Sequence, residues 1–243
     1  MWTTVCLVSR KIAFIIFLAS LFLLNSCTIF RHSKSHPRGQ GQRGTKLAVA
    51  GFQLGLMPGQ QPKAMSDPIT GSIFMAEPVD EAYAEELSSA LYRLLSERGD
   101  YTLIPLVEVG NIAMNLEVSS PKLLQNPKQL YAQVGKHLGA DMVLVGYLYR
   151  WRERRGESYG VRRAASVAFS LGLISVKDRD LVWSGKFDKT QRSLAENLLD
   201  LLTFLRGKGR WMSAKELALM GLEKVVKDIP SPLRVRNACD PRY

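Results

Sequence analysis

The stretch from Asp141 to Val176 constrains the fold more than any other part of this 243-residue chain. Met142-Val143-Leu144-Val145 opens a nearly continuous apolar run towards Trp151, the pattern of a central strand covered on both faces. Ala164 to Val176 alternates instead. Val167, Phe169, Leu171 and Leu173 share one side, and Ser166, Ala168, Ser170 and Gly172 share the other, so this strand has one greasy face and one narrow face. Lys177-Asp178-Arg179-Asp180 then turns the chain into Leu181-Val182-Trp183-Ser184-Gly185-Lys186-Phe187, which closes an antiparallel hairpin.

The flanking segments supply the other strands and the helices. Lys46 to Phe52 (KLAVAGF) reads as a short buried strand. Leu54 to Val79 is rich in Gly and Pro and too long for an ordinary connection, which predicts a functional loop or a partly disordered one. Asp80 starts a helix with Tyr83, Leu87, Leu91, Leu94 and Leu95 on one face and Gly99 as its stop. Tyr101 to Ile104 forms a second strand, closed by Pro105, and a less regular stretch with Ile112 and Leu116 holds a short helix. Asn126-Pro127 supplies an N-cap and a first-turn proline for a helix that ends at Leu138-Gly139. Ser193-Leu194-Ala195-Glu196 and Ser213-Ala214-Lys215-Glu216 are capping boxes. The first opens a helix with Leu198, Leu201, Leu202 and Leu205 that ends at Gly207, and the second a helix that reaches Lys227. The order β-α-β-α-β-β-β-α-α describes a single α/β domain, three-layer-like with a mixed sheet, over residues 46–229, followed by a tail at 230–243.

The amino-terminal stretch is of another kind. Arg10-Lys11 precede thirteen residues, Ile12 to Leu24, made only of Ile, Ala, Phe, Leu and one Ser. That run is too short for a spanning helix, which wants about 20 residues, and it fits the apolar region of a signal peptide over residues 1–26. Leu24-Asn25-Ser26-Cys27 resembles a bacterial lipobox, with Asn25 as a departure from the smaller residue usual there. The resemblance implies a diacylglyceryl thioether on Cys27, and two or three acyl chains anchor stably where one does not. Residues 27–45 form a basic flexible tether with a root-mean-square reach of roughly 24 Å. Thr28 differs from the Asp of an inner-membrane retention signal, so the expected address is the outer membrane, lipid-anchored, on its periplasmic face. With Cys6 removed and Cys27 acylated, only Cys239 remains in the mature chain, and no intramolecular disulfide can form. Cys239, without a neighbouring His, is a free or intermolecular thiol.

Motifs that suggest chemistry fail on context. Gly39-Gln40-Gly41-Gln42-Arg43-Gly44 matches a dinucleotide fingerprint, but the strand follows the glycines instead of preceding them. His32 and His36 lie in the tether, and His137 joins the polar face of a helix. Asp178 and Asp180 suit turn geometry better than a cation, and Glu85-Glu86 suit a solvated helix face. No metal site, cofactor or catalytic residue is therefore expected.

The formal charge of +11, from 33 Lys and Arg against 22 Asp and Glu, suggests nucleic acid until it is mapped. Residues 1–46 hold seven basic residues and no acid, and residues 150–163 hold six Arg against two Glu, so the rest balances at 20 against 20. Arg150, Trp151, Arg152, Arg154, Arg155, Tyr159, Arg162 and Arg163 form the candidate anion or partner site, because guanidinium forks bind phosphate or carboxylate and aromatics add stacking. A solvated polar hairpin is the plain alternative. No nucleic-acid partner is expected, and the charge argues for a membrane-proximal surface.

Leu47-Ala48-Val49-Ala50-Gly51-Phe52, Val134-Gly135-Lys136-His137-Leu138-Gly139-Ala140-Asp141 leading into Met142-Val143-Leu144-Val145-Gly146, and Leu181-Val182-Trp183-Ser184-Gly185 together resemble the periplasmic α/β lipoprotein domains grouped around the TolB amino-terminal domain. That group includes the outer-membrane activators of penicillin-binding proteins and the curli-export lipoprotein. The resemblance covers roughly Lys46 to Lys189. It implies a non-enzymatic envelope protein, a scaffold or accessory factor, that binds another envelope protein, and a homo-oligomer is compatible with it. Glu153 to Arg163 is too charged for the hairpins of a pore. The alternative function is binding of anionic lipid or glycan through residues 150–163, with an envelope hydrolase a more distant one.

Overall fold

The computed structural model describes residues 44–156, 161–191 and 211–232, all within a compact unit that runs from Arg43 to Tyr243. Five strands form the main sheet: β1 (Lys46–Leu54), β4 (Thr102–Ile104), β5 (Met142–Arg152), β8 (Ser166–Ser175) and β9 (Asp180–Thr190), in the order β4-β1-β5-β8-β9. β4 and β5 run parallel to β1, and β8 and β9 continue antiparallel, so the sheet is mixed as expected. Two small hairpins complete the strands: β2 (Lys63–Ser66) with β3 (Ile73–Ala76), and β6 (Arg155–Gly156) with β7 (Val161–Arg163).

Four α-helices, α1 (Glu81–Arg98), α2 (Leu106–Ser119), α3 (Pro127–Leu138) and α4 (Ala214–Lys227), are present among the described residues. α1 and α4 cover one face: Leu87, Leu91 and Leu95 of α1 and Leu217 and Leu222 of α4 share a core with Leu144, Val167, Phe169 and Leu171. α2 and α3 cover the other, where Val109, Leu130 and Val134 meet Ala48, Val143, Val145 and Ile174. The result is a three-layer α/β domain.

Local chemistry sets the helix limits. The Asp80 carboxylate accepts from Ala82 N at 3.0 Å, and Gly99 ends α1 at φ 67°, where the left-handed conformation costs a glycine least. Asn126 and Pro127 open α3, and Gly139 stops it. Ser213 and Glu216 form the reciprocal capping box of α4. The box at Ser193 and the helix it opens lie outside the described residues.

Two expectations are refined. The short helix expected around Ile112 and Leu116 is present and runs for 14 residues; its weak amphipathicity concealed the length, since only Val109 is buried while Val107, Met114 and Val118 are exposed. Leu54–Val79, expected to be a functional or partly disordered loop, carries an ordered hairpin, with β2 and β3 occupying part of it. That hairpin sits on the narrow side of β8. Ile69 stands over Gly172, where a Cβ would come within 2.6 Å of its Cγ2, and Phe74 stacks on Tyr149 at 4.4 Å in a small core with Leu56, Ala76 and Ala168. The small residues of β8 make room for a covering element that local pattern does not announce.

Candidate functional site at the arginine tip

β5 is irregular at its far end, with a register shift between Leu148 and Arg150. The bulge re-aims the side chains that follow, and it sorts the eight candidate residues into different environments. Arg150 is 7% exposed. Its Nε donates to Ser166 Oγ at 2.7 Å, its Nη1 donates to the Met75 carbonyl at 3.0 Å, and its Nη2 is paired with Asp188. Ser166 Oγ lies 2.6 Å from Thr190 Oγ1, so one guanidinium joins β3, β5, β8 and β9. Trp151 is buried and stacked on Tyr83 of α1, with ring centroids 4.7 Å apart. Its Nε1 donates to Glu153, whose other oxygen accepts from Ala214 N at the start of α4.

Arg152 is ion-paired with Glu77, just past β3, its Nε donating at 3.0 Å. Partial burial, followed by the nearby charge of Arg163, pulls its pKa below the usual guanidinium value. Arg154 donates to the Trp211 carbonyl at 3.1 Å. Arg150, Trp151 and Arg152 are thus joined to the fold rather than laid on a common free surface. They could not be told apart from Arg155 in the sequence because their partners are distant in it.

Arg155, Arg162 and Arg163 are exposed. Arg155 stands directly opposite Arg163 across the β6–β7 ladder. Like charges in that position work against the pairing, and a carboxylate or phosphate placed between them relieves the conflict. Tyr159 lies outside the described residues.

Beside this tip lies a surface that the sequence reading missed. β3 alternates, turning Phe74 and Ala76 inward and Ile73 and Met75 outward; these are 75% and 56% exposed, and Met57 is 58% exposed. The only signal was the unbroken apolar run Ile73-Phe74-Met75-Ala76 within a stretch rich in Gly and Pro, and a run apolar at every position does not say which face is covered. The hairpin is held against the sheet by Asp67, itself 2% exposed. Its carboxylate accepts from Ile69 N at 2.8 Å, Thr70 N at 2.6 Å, Tyr149 OH at 2.9 Å and the Ser170 hydroxyl. Burial, reinforced by the charge of Asp67, pushes the Tyr149 phenol far above its ordinary value.

The other pole receives the incoming chain. Thr102 N donates to the Thr45 carbonyl and Lys46 N to Asp141 at 2.7 Å, next to the start of β5. The 11 residues of β5 separate that point from the tip by roughly 36 Å at 3.3 Å per residue.

Asp178 and Asp180 serve the β8–β9 turn: Asp178 accepts from Ser175 at 2.7 Å, and Lys128, hydrogen-bonded to Asp180 at 2.9 Å, holds that carboxyl below its usual value. His137 is exposed, its Nδ1 2.9 Å from the Gln133 carbonyl. Among the described residues no group of three or more His, Cys, Asp or Glu is arranged to hold a metal ion, and no helix is long and apolar enough to cross a membrane.

The chain matches no protein-family model, and no curated protein matches it. Solved structures do. The C-terminal domain of LpoB from Salmonella enterica is 18% identical over 61% of this chain and 84% of that one, with a TM-score of 0.36. The PelC dodecamer from Paraburkholderia phytofirmans is 16% identical over 76% and 86%, with a TM-score of 0.40. The lipoprotein GNA1162 from Neisseria meningitidis is 15% identical over 68% and 96%, with a TM-score of 0.36.

Proposed function

We propose that this chain is a lipid-anchored envelope protein, held through Cys27 at the periplasmic face of the outer membrane. It works without catalysis, as a scaffold or accessory factor that holds a protein partner at the arginine tip. The observation that carries this reading is the placement of Arg155 opposite Arg163, on the chain that continues from Arg150 and Arg152, the two residues that tie the hairpin bearing the exposed Ile73 and Met75 to β5. An apolar centre beside a charged rim is the make-up of a protein interface. Arg150 and Arg152, by fastening Met75 and Glu77 to β5, hold the two parts in fixed relation. The partner that fits carries carboxylates beside an apolar patch. The tip stands at the end of β5 opposite Lys46, where the described chain enters the sheet.

Anchoring is tested by metabolic palmitate labelling: Cys27→Ser is expected to lose the label, and label retained would remove the anchor. Docking is tested by co-purification from crosslinked envelopes. The triple variant Arg155→Glu, Arg162→Glu, Arg163→Glu and the double variant Ile73→Asp, Met75→Asp are expected to lose the same protein while keeping the parent urea midpoint. Retention of every co-purifying protein by both variants would sink the reading.

The second reading, an anionic lipid or glycan as ligand, is favoured by the conflict between Arg155 and Arg163 alone. It requires salt-sensitive binding of the full chain to phosphatidylglycerol vesicles, or to an anionic glycan, that the arginine variant loses and the Ile73/Met75 variant keeps.

A further inference from the structure

We infer that the free edge of β9, with the groove between it and α4, is a second docking site that accepts an extended acidic segment of a partner protein as an added strand. β9 is 11 residues long and is hydrogen-bonded to β8 on one side; among the described residues no strand pairs with its other side. Such an edge presents a row of N–H and C=O groups to any extended chain that reaches it.

Beside this edge lies a groove of about 340 Å³, lined by Trp183 to Phe187 on the strand and by Lys224, Val225 and Asp228 at the end of α4. Glycines make it. A Cβ on Gly185 would stand 2.6 Å from Val225 Cγ1 and 2.7 Å from the Trp183 ring, and one on Gly221 would stand 2.7 Å from the Phe187 ring. The helix therefore approaches the strand closely, with Val225 over Gly185 and the Phe187 ring against Gly221. A backbone edge next to a lined groove is what strand addition requires: main-chain bonds hold the segment, and the groove takes every second side chain.

Charge selects the occupant. Lys186 and Lys224 are both exposed, both line the groove, and neither is ion-paired among the described residues. Lysine on an edge strand also guards against unwanted pairing, but a guard has no need of an aromatic-lined groove beside it. A second copy of this chain would bring its own Lys186 and an edge of mixed charge, with no net neutralisation. Gly185 and Phe187 face α4, so Lys186 between them points to the opposite face of the added strand from Lys224. A segment with acids on both of its faces neutralises both lysines, and Asp228 at the margin leaves a place for one basic residue.

The test selects 11-residue peptides from a random displayed library against the full chain in detergent micelles. Enrichment of Asp or Glu on both faces of a β-branched segment, one opposite Lys186 and one opposite Lys224, is expected. A fluorescein-labelled peptide of that pattern should slow hydrogen exchange of the β9 amides, and Lys186→Glu with Lys224→Glu should weaken it about tenfold. A peptide with Lys in place of its acids should regain affinity for the reversed variant. Lys224→Glu alone, at an exposed helix position, provides a milder version with the fold undisturbed. The proposal is overturned by enrichment without acids, by affinity indifferent to charge reversal, by protection that appears away from β9, or by self-association of the chain through β9 in place of peptide binding.

Discussion

Six arginines crowd into residues 150–163, and burial divides them into groups with opposite consequences. Removing the Arg150 side chain leaves the buried Ser166 hydroxyl and the Met75 carbonyl without their donor, while Asp188, itself exposed, turns to water. Arg150→Ala is expected to cost about 1–3 kcal/mol through the hydrogen bonds lost, read as a lowered urea midpoint, whereas Arg155→Ala, at an exposed position, is expected to stay within about 0.5 kcal/mol. A loss from Arg155→Ala equal to that from Arg150→Ala would contradict the assignment. The division was not legible in the sequence. Arg150 meets Asp188 across 38 positions and Arg152 meets Glu77 across 75, and no local pattern reports partners so far away. Gly51 shows the same limit. The sequence places it in a strand, but only the fold shows its φ of 71° and the Ser88 hydroxyl 2.7 Å from where a Cβ would stand.

At the scale of elements, what was legible is what short-range chemistry decides. Asp80 and Gly99, Asn126 with Pro127 and Gly139, and Ser213 with Glu216 bound their helices as the residues suggest, because a cap is settled within one turn. The β2–β3 hairpin was not legible, since strands of four residues carry little periodic signal and their stability comes from packing elsewhere. Asp67 is the residue that fastens it. Asp67→Ala leaves two hydroxyls and two amides without their acceptor, a loss of about 1–3 kcal/mol. The expected signature is local: amides from Lys63 to Ala76 exchange faster while those of β1 and β5 change little. Uniform acceleration across the sheet would show that the hairpin is not a separable unit.

For the whole molecule, the buried tyrosines set a limit at alkaline pH. Burial, with the charge of Asp100 added, pushes the Tyr101 phenol up to about 12, and its hydroxyl donates to the Pro230 carbonyl at 2.7 Å. Tyr131, Tyr147 and Tyr149 are raised in the same direction, mainly by burial. Below the ordinary value of 10.0 both the folded and the unfolded chain keep these protons. Between 10.0 and about 12 the unfolded chain loses them first, the folded state binds more protons, and stability falls as pH rises. The urea midpoint is therefore expected to be unaffected by these groups below pH 10 and to decline above it, less steeply in Tyr101→Phe; a midpoint that rises through that window would refute the argument. The arrangement of layers was legible because periodicity marks which elements are covered on both sides; the Arg-rich segment was legible as a site of charge but not as a mixture of internal braces and an exposed tip. The two borders of the main sheet are unequal, three residues at β4 against 11 at β9. A sheet so built has a valence of one: an added strand, or a copy joined strand to strand, occupies the long border, and the short one offers too little for a further step. Among the described residues, association along the strands is thereby self-terminating: a strand added at β9 leaves no second border long enough to repeat the step.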